Sequence, residues 1–174
     1  MKHQDHLYLL RDGIPQPDGT WADLGSGRGA FTLALADLIG PGGEIYSVDI
    51  DKGALREQER AMRPQFPSVT IHYLVADFTQ RLDLPPLDGV VMANALHFVR
   101  QKDQVIQLIR SYLKPDGRFI LVEYNVDRGN LWVPYPISYS TWEGLARRNG
   151  FVFTRLLARV PSRFLGEIYS AVNW

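Results

Sequence analysis

Apolar residues fall along this chain in short continuous runs, and the stretches between them carry apolar residues at helical spacing. Thr20–Leu24 is a brief apolar run that stops at a glycine cluster, which predicts a buried strand. Within Arg28–Ile39, Phe31, Leu35 and Leu38 recur on one helical face, and Pro41-Gly42-Gly43 breaks the pattern. Glu44–Val48 predicts a second strand, closed by Asp49. Lys52–Met62 predicts a charged, exposed helix ended by Pro64. The alternation of Val69, Ile71, Tyr73 and Val75 predicts a third strand. Leu87–Ala93 is almost wholly apolar, as a strand covered on both faces should be. Gln104–Leu113 reads as an amphipathic helix, Lys114–Gly117 as a turn and Arg118–Val122 as another buried strand.

The flanks follow the same logic. His6–Arg11 predicts a short helix, and the Pro- and Gly-rich residues 12–19 a loop. Residues 125–138 form a polar loop with prolines and aromatics. Ser140–Asn149 predicts a helix capped by Ser140 or Thr141 and stopped by Gly150. Phe151–Val160 and Arg163–Val172 are strands joined at Pro161-Ser162. That link is too short for a parallel crossover, so they should form an antiparallel hairpin. Five βα units followed by a hairpin predict one α/β domain over residues 1–174: a doubly wound, mostly parallel sheet.

Composition narrows the function. Nineteen Lys and Arg balance nineteen Asp and Glu, so net charge gives no bulk grip on nucleic acid or an anionic membrane. Acidic residues predominate up to Gln101 and basic ones after it, and an acidic first half suits a cationic ligand. With no cysteine, disulfides, zinc–thiolate sites and cysteine nucleophiles are excluded. The polar start MKHQDHLYLLRDG does not read as a signal peptide. No apolar run approaches the ~18 residues of a membrane span. The expectation is a cytoplasmic protein with no metal and no membrane segment.

Chemistry gathers after the first strand, in Trp21-Ala22-Asp23-Leu24-Gly25-Ser26-Gly27-Arg28-Gly29-Ala30-Phe31. A strand running into glycines that open a helix lets the backbone approach a ligand closely. Gly25, Gly27 and Ala30 also fit the dinucleotide pattern, so this string alone leaves NAD open. Asp23, just before the glycines, would repel a pyrophosphate but can receive an ammonium group. Asp49 lies where an acid binds a ribose diol, a feature shared with NAD proteins, and Ile50 follows it. Asp77-Phe78 after the third strand could bind an adenine amino group and cover its ring.

These motifs, with the segment Asp88–Phe98 and the Leu113–Arg118 turn, resemble the class I methyltransferases that use S-adenosylmethionine (SAM), in that family's order. The turn carries Asp116 where the family has a glycine. The resemblance covers about Thr20 to the C-terminus and implies a Rossmann-like seven-stranded sheet of order 3-2-1-4-5-7-6. It implies that Gly25, Gly27 and Gly29 line the methionine part of SAM and that Asp23 holds its amino group. Asp49 would take the ribose hydroxyls, and Asp77 and Phe78 the adenine. Asn94 and Ala95 would lie by the sulfonium, and S-adenosylhomocysteine would be the product.

Methyl transfer from a sulfonium needs mainly proximity and orientation, with a base only where the nucleophile carries a proton. His97 is the candidate base, and Tyr124 and Glu123 end the fifth strand facing the same region. The aromatic loop 125–139 reads as a substrate lid. Without a cysteine or an Asn/Asp-Pro-Pro-aromatic string, a small-molecule acceptor is favoured over nucleic acid. Recognition would come from residues 1–15, the lid or a homodimer partner. Two other readings stand beside the enzyme: a non-catalytic module that binds SAM or its product to regulate a partner, and an NAD-linked oxidoreductase.

Overall fold

The computed structural model describes all 174 residues. A seven-stranded sheet has the order β3-β2-β1-β4-β5-β7-β6. The strands are β1 (Thr20–Leu24), β2 (Glu44–Asp49), β3 (Thr70–Val75), β4 (Leu87–Ala93), β5 (Leu113–Tyr124), β6 (Thr154–Ser162) and β7 (Gly166–Asn173). The first five are parallel, and β7 pairs antiparallel with both β5 and β6. The helices are α1 (His3–Leu10), α2 (Ala30–Ile39), α3 (Lys52–Met62), α4 (Lys102–Tyr112) and α5 (Tyr139–Arg148).

Parallel strands need crossovers, and the crossover helices cover both faces of the sheet. Along β4, Val90 and Met92 point into one core with Ile106 and Ile109 of α4 and Trp142 of α5. The intervening Val91 and Ala93 enter the opposite core with Leu9 and Leu10 of α1 and Phe31 and Leu35 of α2. The strand reads as a continuous apolar run because neither face meets water. No helix is long and apolar enough to cross a membrane.

Three local expectations are corrected. Lys114–Gly117 is not a separate turn but a bulge inside β5. Leu113 pairs with Leu87 and Arg118 with Gly89, and Lys114 Nζ is held 2.8 Å from both Asp88 oxygens. The α5 cap is Ser138, not Ser140 or Thr141: its hydroxyl accepts from Thr141 N, and Asp127, eleven residues earlier, fixes it by accepting from its amide and hydroxyl. The hairpin turns at 163–165 rather than at Pro161-Ser162. Pro161 stays in the ladder opposite Glu167, which an edge strand such as β6 tolerates.

Asn173 is fully buried and joins four elements. Its Oδ1 accepts from Trp142 Nε1 (3.0 Å) and Thr154 Oγ1 (2.9 Å), and its Nδ2 donates to Phe119 O (2.9 Å). Asn173→Ala leaves these partners buried and unpaired. It should lower unfolding stability by about 2–4 kcal/mol, read as a lower urea midpoint at unchanged m-value.

Candidate active site

The carboxyl ends of β1, β2, β3 and β4 frame a cavity of about 340 Å³. Seven residues singled out in the sequence line it: Gly25, Asp49, Ile50, Asp77, Phe78, Asn94 and Ala95. Thr79, Phe98 and Val99 line it as well. Thr79 follows Asp77-Phe78, Phe98 ends the segment Asp88–Phe98 and Val99 follows it, so adjacency to the motifs is the available signal. A larger cavity, about 510 Å³, lies at the opposite edge of the sheet by Asp18, Lys114 and Arg118. Its Asp88 and Lys114 satisfy each other, and none of the glycines or acids expected to hold SAM reaches it.

Gly25 turns with φ +78°, and a Cβ there would lie 2.5 Å from the Cβ of Ala95, so the crevice closes to any side chain. Asp49 braces the loop above it. Its Oδ2 accepts from Gly27 N (2.7 Å) and its Oδ1 from Asp51 N (2.8 Å). Each carboxylate oxygen retains a lone pair for a ligand hydroxyl. Asp51, not Asp49, caps α3, accepting from Gly53 N and Ala54 N. Asp77 Oδ1 is engaged by the amide and hydroxyl of Thr79, while Oδ2 makes no bond within the protein.

Asp23, Gly27 and Gly29 do not line the cavity. Gly29 caps α2 in the left-handed region, with the Gln58 side chain against it. Asp23 is sealed beneath the glycine loop, where Thr32 Oγ1 donates to it at 2.6 Å. Burial pushes its carboxyl up to about 7. The nearby charge of Asp49 adds to the rise, and the Thr32 hydrogen bond opposes it.

Beyond β4, Asn94 holds φ +51°, and its buried Oδ1 has no partner. His97 follows in a single 3₁₀ turn, and the fully buried Glu123 at the end of β5 grips it. Glu123 Oε1 accepts from His97 N, and both carboxylate oxygens lie 3.0 Å from His97 Nδ1. His97 Nε2 makes no bond within the protein and is not among the sealed, unpaired atoms. A carboxylate on Nδ1 orients the ring and leaves Nε2 to accept a proton. The Tyr124 ring lies 5.9 Å from that of His97. Burial and the charge of Glu123 raise its hydroxyl above the ordinary range, so Tyr124 keeps its proton at neutral pH.

Two carboxylates and no Lys or Arg line the cavity, so it suits a cationic ligand and disfavours a pyrophosphate. The remaining lone pairs of Asp49, the free Oδ2 of Asp77, the unpartnered Asn94 Oδ1 and the bare Gly25 turn fit the ribose, adenine and sulfonium-bearing chain of SAM.

The chain is 30% identical over 105 residues to the ubiquinone/menaquinone biosynthesis C-methyltransferase UbiE of Pasteurella multocida, a match covering 59% of this chain and 39% of that protein. The chain spans about half or less of the length of the curated relatives it matches, reaching 54% for the Burkholderia mallei UbiE. Among solved structures, the YcgJ protein of Bacillus subtilis superposes with a TM-score of 0.78 at 14% identity, covering 98% of both chains. The 1,6-didemethyltoxoflavin-N1-methyltransferase of Burkholderia thailandensis, solved with S-adenosylhomocysteine, gives 0.75 at 17% identity, covering 98% of this chain and 77% of that one. Residues 16–143, which contain the glycine loop, both cavity carboxylates and the His97–Glu123 pair, match the family model described as a methyltransferase domain, and the chain belongs to that family in its class I, Rossmann-like form.

Proposed function

We propose that this chain moves a methyl group from SAM to a small-molecule acceptor, with His97 as general base. The observation that carries the reading is the adjacency of an acidic, cation-suited cavity to a buried His97–Glu123 pair whose Nε2 is free. SAM when bound supplies a methyl group on a sulfonium that leaves as a neutral thioether. Asp49 accepts from its ribose hydroxyls, Asp77 Oδ2 faces its adenine amino group and Phe78 packs on the ring, with Gly25 and Ile50 against the ligand. Asn94 and Ala95 flank the methyl-bearing end. Gly27 and Gly29 act at one remove, by shaping the loop and starting α2, and Asp23 lies under the loop toward the amino group.

His97 Nε2 takes the acceptor's proton as the new bond forms, and Glu123 stabilises the resulting imidazolium without itself leaving Nδ1. Tyr124, holding its proton, donates to or walls the acceptor. The 125–139 loop, tied down by the bond from Tyr135 N to His97 O (3.0 Å), closes the acceptor side. A cysteine-free chain has no need of an oxidising compartment, which suits the cytoplasm.

Calorimetric titration with S-adenosylhomocysteine, with NADH as control, tests the cofactor assignment: only the former should bind. Asp49→Ala should weaken that binding at least tenfold, since charge-assisted hydrogen bonds contribute roughly 1.5–3 kcal/mol each. Unchanged affinity would remove Asp49 from the ribose site. With an acceptor in hand, His97→Ala should lower kcat by about 10²–10⁴ while leaving S-adenosylhomocysteine affinity intact, and Glu123→Gln should lose much of the same factor. Asp23 gives a signature in pH. Its carboxyl binds a proton in the folded state up to about pH 7 but loses it near the ordinary Asp range when unfolded. Folding stability therefore falls as pH rises from about 4 to 7, and Asp23→Asn should flatten that slope in chemical denaturation.

A further inference from the structure

The rim of the site exposes large apolar side chains: Leu131 is 91% exposed, Trp132 70%, Phe98 61%, Phe164 47% and Tyr135 41%. Ring contacts through Tyr124 and His97 connect Trp132, Phe164 and Phe98, and Leu131 and Tyr135 lie on the same loop as Trp132. The ring of Trp132 lies 6.3 Å from that of Phe164, Phe164 5.9 Å from Tyr124, Tyr124 5.9 Å from His97 and His97 4.3 Å from Phe98. The exposure is held in place. Asn130 Oδ1 accepts from the amides of Trp132 and Val133, and Lys102 Nζ donates to Tyr135 O. Arg100, Arg128 and Arg163 stand exposed on the same segments with no ion pair or hydrogen bond. The acids among them are occupied, Asp127 with Ser138 and Thr141 and Glu167 with Asn125 and Arg159.

We propose that this rim docks on an anionic phospholipid surface, with Leu131 and Trp132 entering the boundary between headgroups and acyl chains and Arg100, Arg128 and Arg163 meeting lipid phosphates. An apolar tip with unpaired arginines on the segments that carry it is the chemistry of an interfacial anchor. Other occupants fit less well. A second copy meeting the same face would bring arginines against arginines. Leu131, the most exposed of the five, carries no ring on which a nucleic-acid base could stack, and at 91% exposure it is open to solvent rather than enclosed in a substrate pocket. The proposal does not depend on methyl transfer, which S-adenosylhomocysteine titration tests separately.

The test is co-sedimentation of the full chain with phosphatidylcholine vesicles, with and without phosphatidylglycerol. Binding should require phosphatidylglycerol, weaken with added salt and shift the tryptophan emission to the blue. Leu131→Ser with Trp132→Ser should lower the partition coefficient at least tenfold. Arg128→Gln and Arg163→Gln should each lower it about fivefold. Unfolding midpoints should match the parent protein, showing that the variants fold. The proposal is overturned by no binding, by equal binding to neutral vesicles or by indifference to both sets of substitutions. It is equally overturned if the Leu131/Trp132 variant turns a parent dimer into a monomer, which assigns the patch to a second copy. Tighter binding to a single-stranded oligonucleotide than to the vesicles assigns it to nucleic acid.

Discussion

The pairing of β1 with both β2 and β4 is the constraint on which the rest of this molecule depends. From β1 the chain winds outward through β2 and β3 on one side and later through β4 and β5 on the other. The loops leaving β1 and β4 must therefore part, and a crevice opens where they do. Gly25 and Ala95 meet across that crevice so closely that the first can carry no side chain. The glycine loop, the Asp49 brace and the strained Asn94 are all consequences of filling that one gap with backbone.

Electrostatics divides the site into two compartments. On the β2 and β3 side, carboxylates face open space and make the cavity acidic. On the β5 side, Glu123 is buried with its charge spent on the amide and ring of His97. A buried carboxylate without such partners would be costly, so the histidine and the acid are each a condition for the other. Asp23 shows what happens with fewer partners: its side chain has only a threonine hydroxyl, and its carboxyl rises toward neutrality. Charge balanced over the whole chain thus conceals strong local fields, and the unpaired arginines at the rim are another instance.

Sequence periodicity located nearly every element of the sheet because buried parallel strands and their crossover helices carry strong, local apolar patterns. Thr20–Leu24, Lys52–Met62 and Leu87–Ala93 stand where the pattern puts them. The misplaced boundaries share a cause. Ser138 caps α5 because Asp127 reaches it across a loop, Pro161 stays paired because β6 is an edge, and Lys114–Gly117 folds into a bulge anchored on Asp88. Each is settled by a contact between residues distant in sequence or by position in the sheet, and neither leaves a local signature.

The site divides the same way. The order of acids and glycines along the chain determined which residues gather at the carboxyl edge, because a βα unit delivers its strand-end residues there whatever the side-chain details. Tertiary structure alone decided that Asp23 and Gly29 stand behind the cavity rather than in it. It also decided that Glu123 closes on His97 Nδ1, and that Leu131, Trp132 and Phe164, from a loop and a distant hairpin, share one exposed face. Burial, pairing and exposure are properties of neighbours in space. A one-dimensional pattern specifies which groups the fold can bring to an edge, and only the packed sheet selects which of them meet.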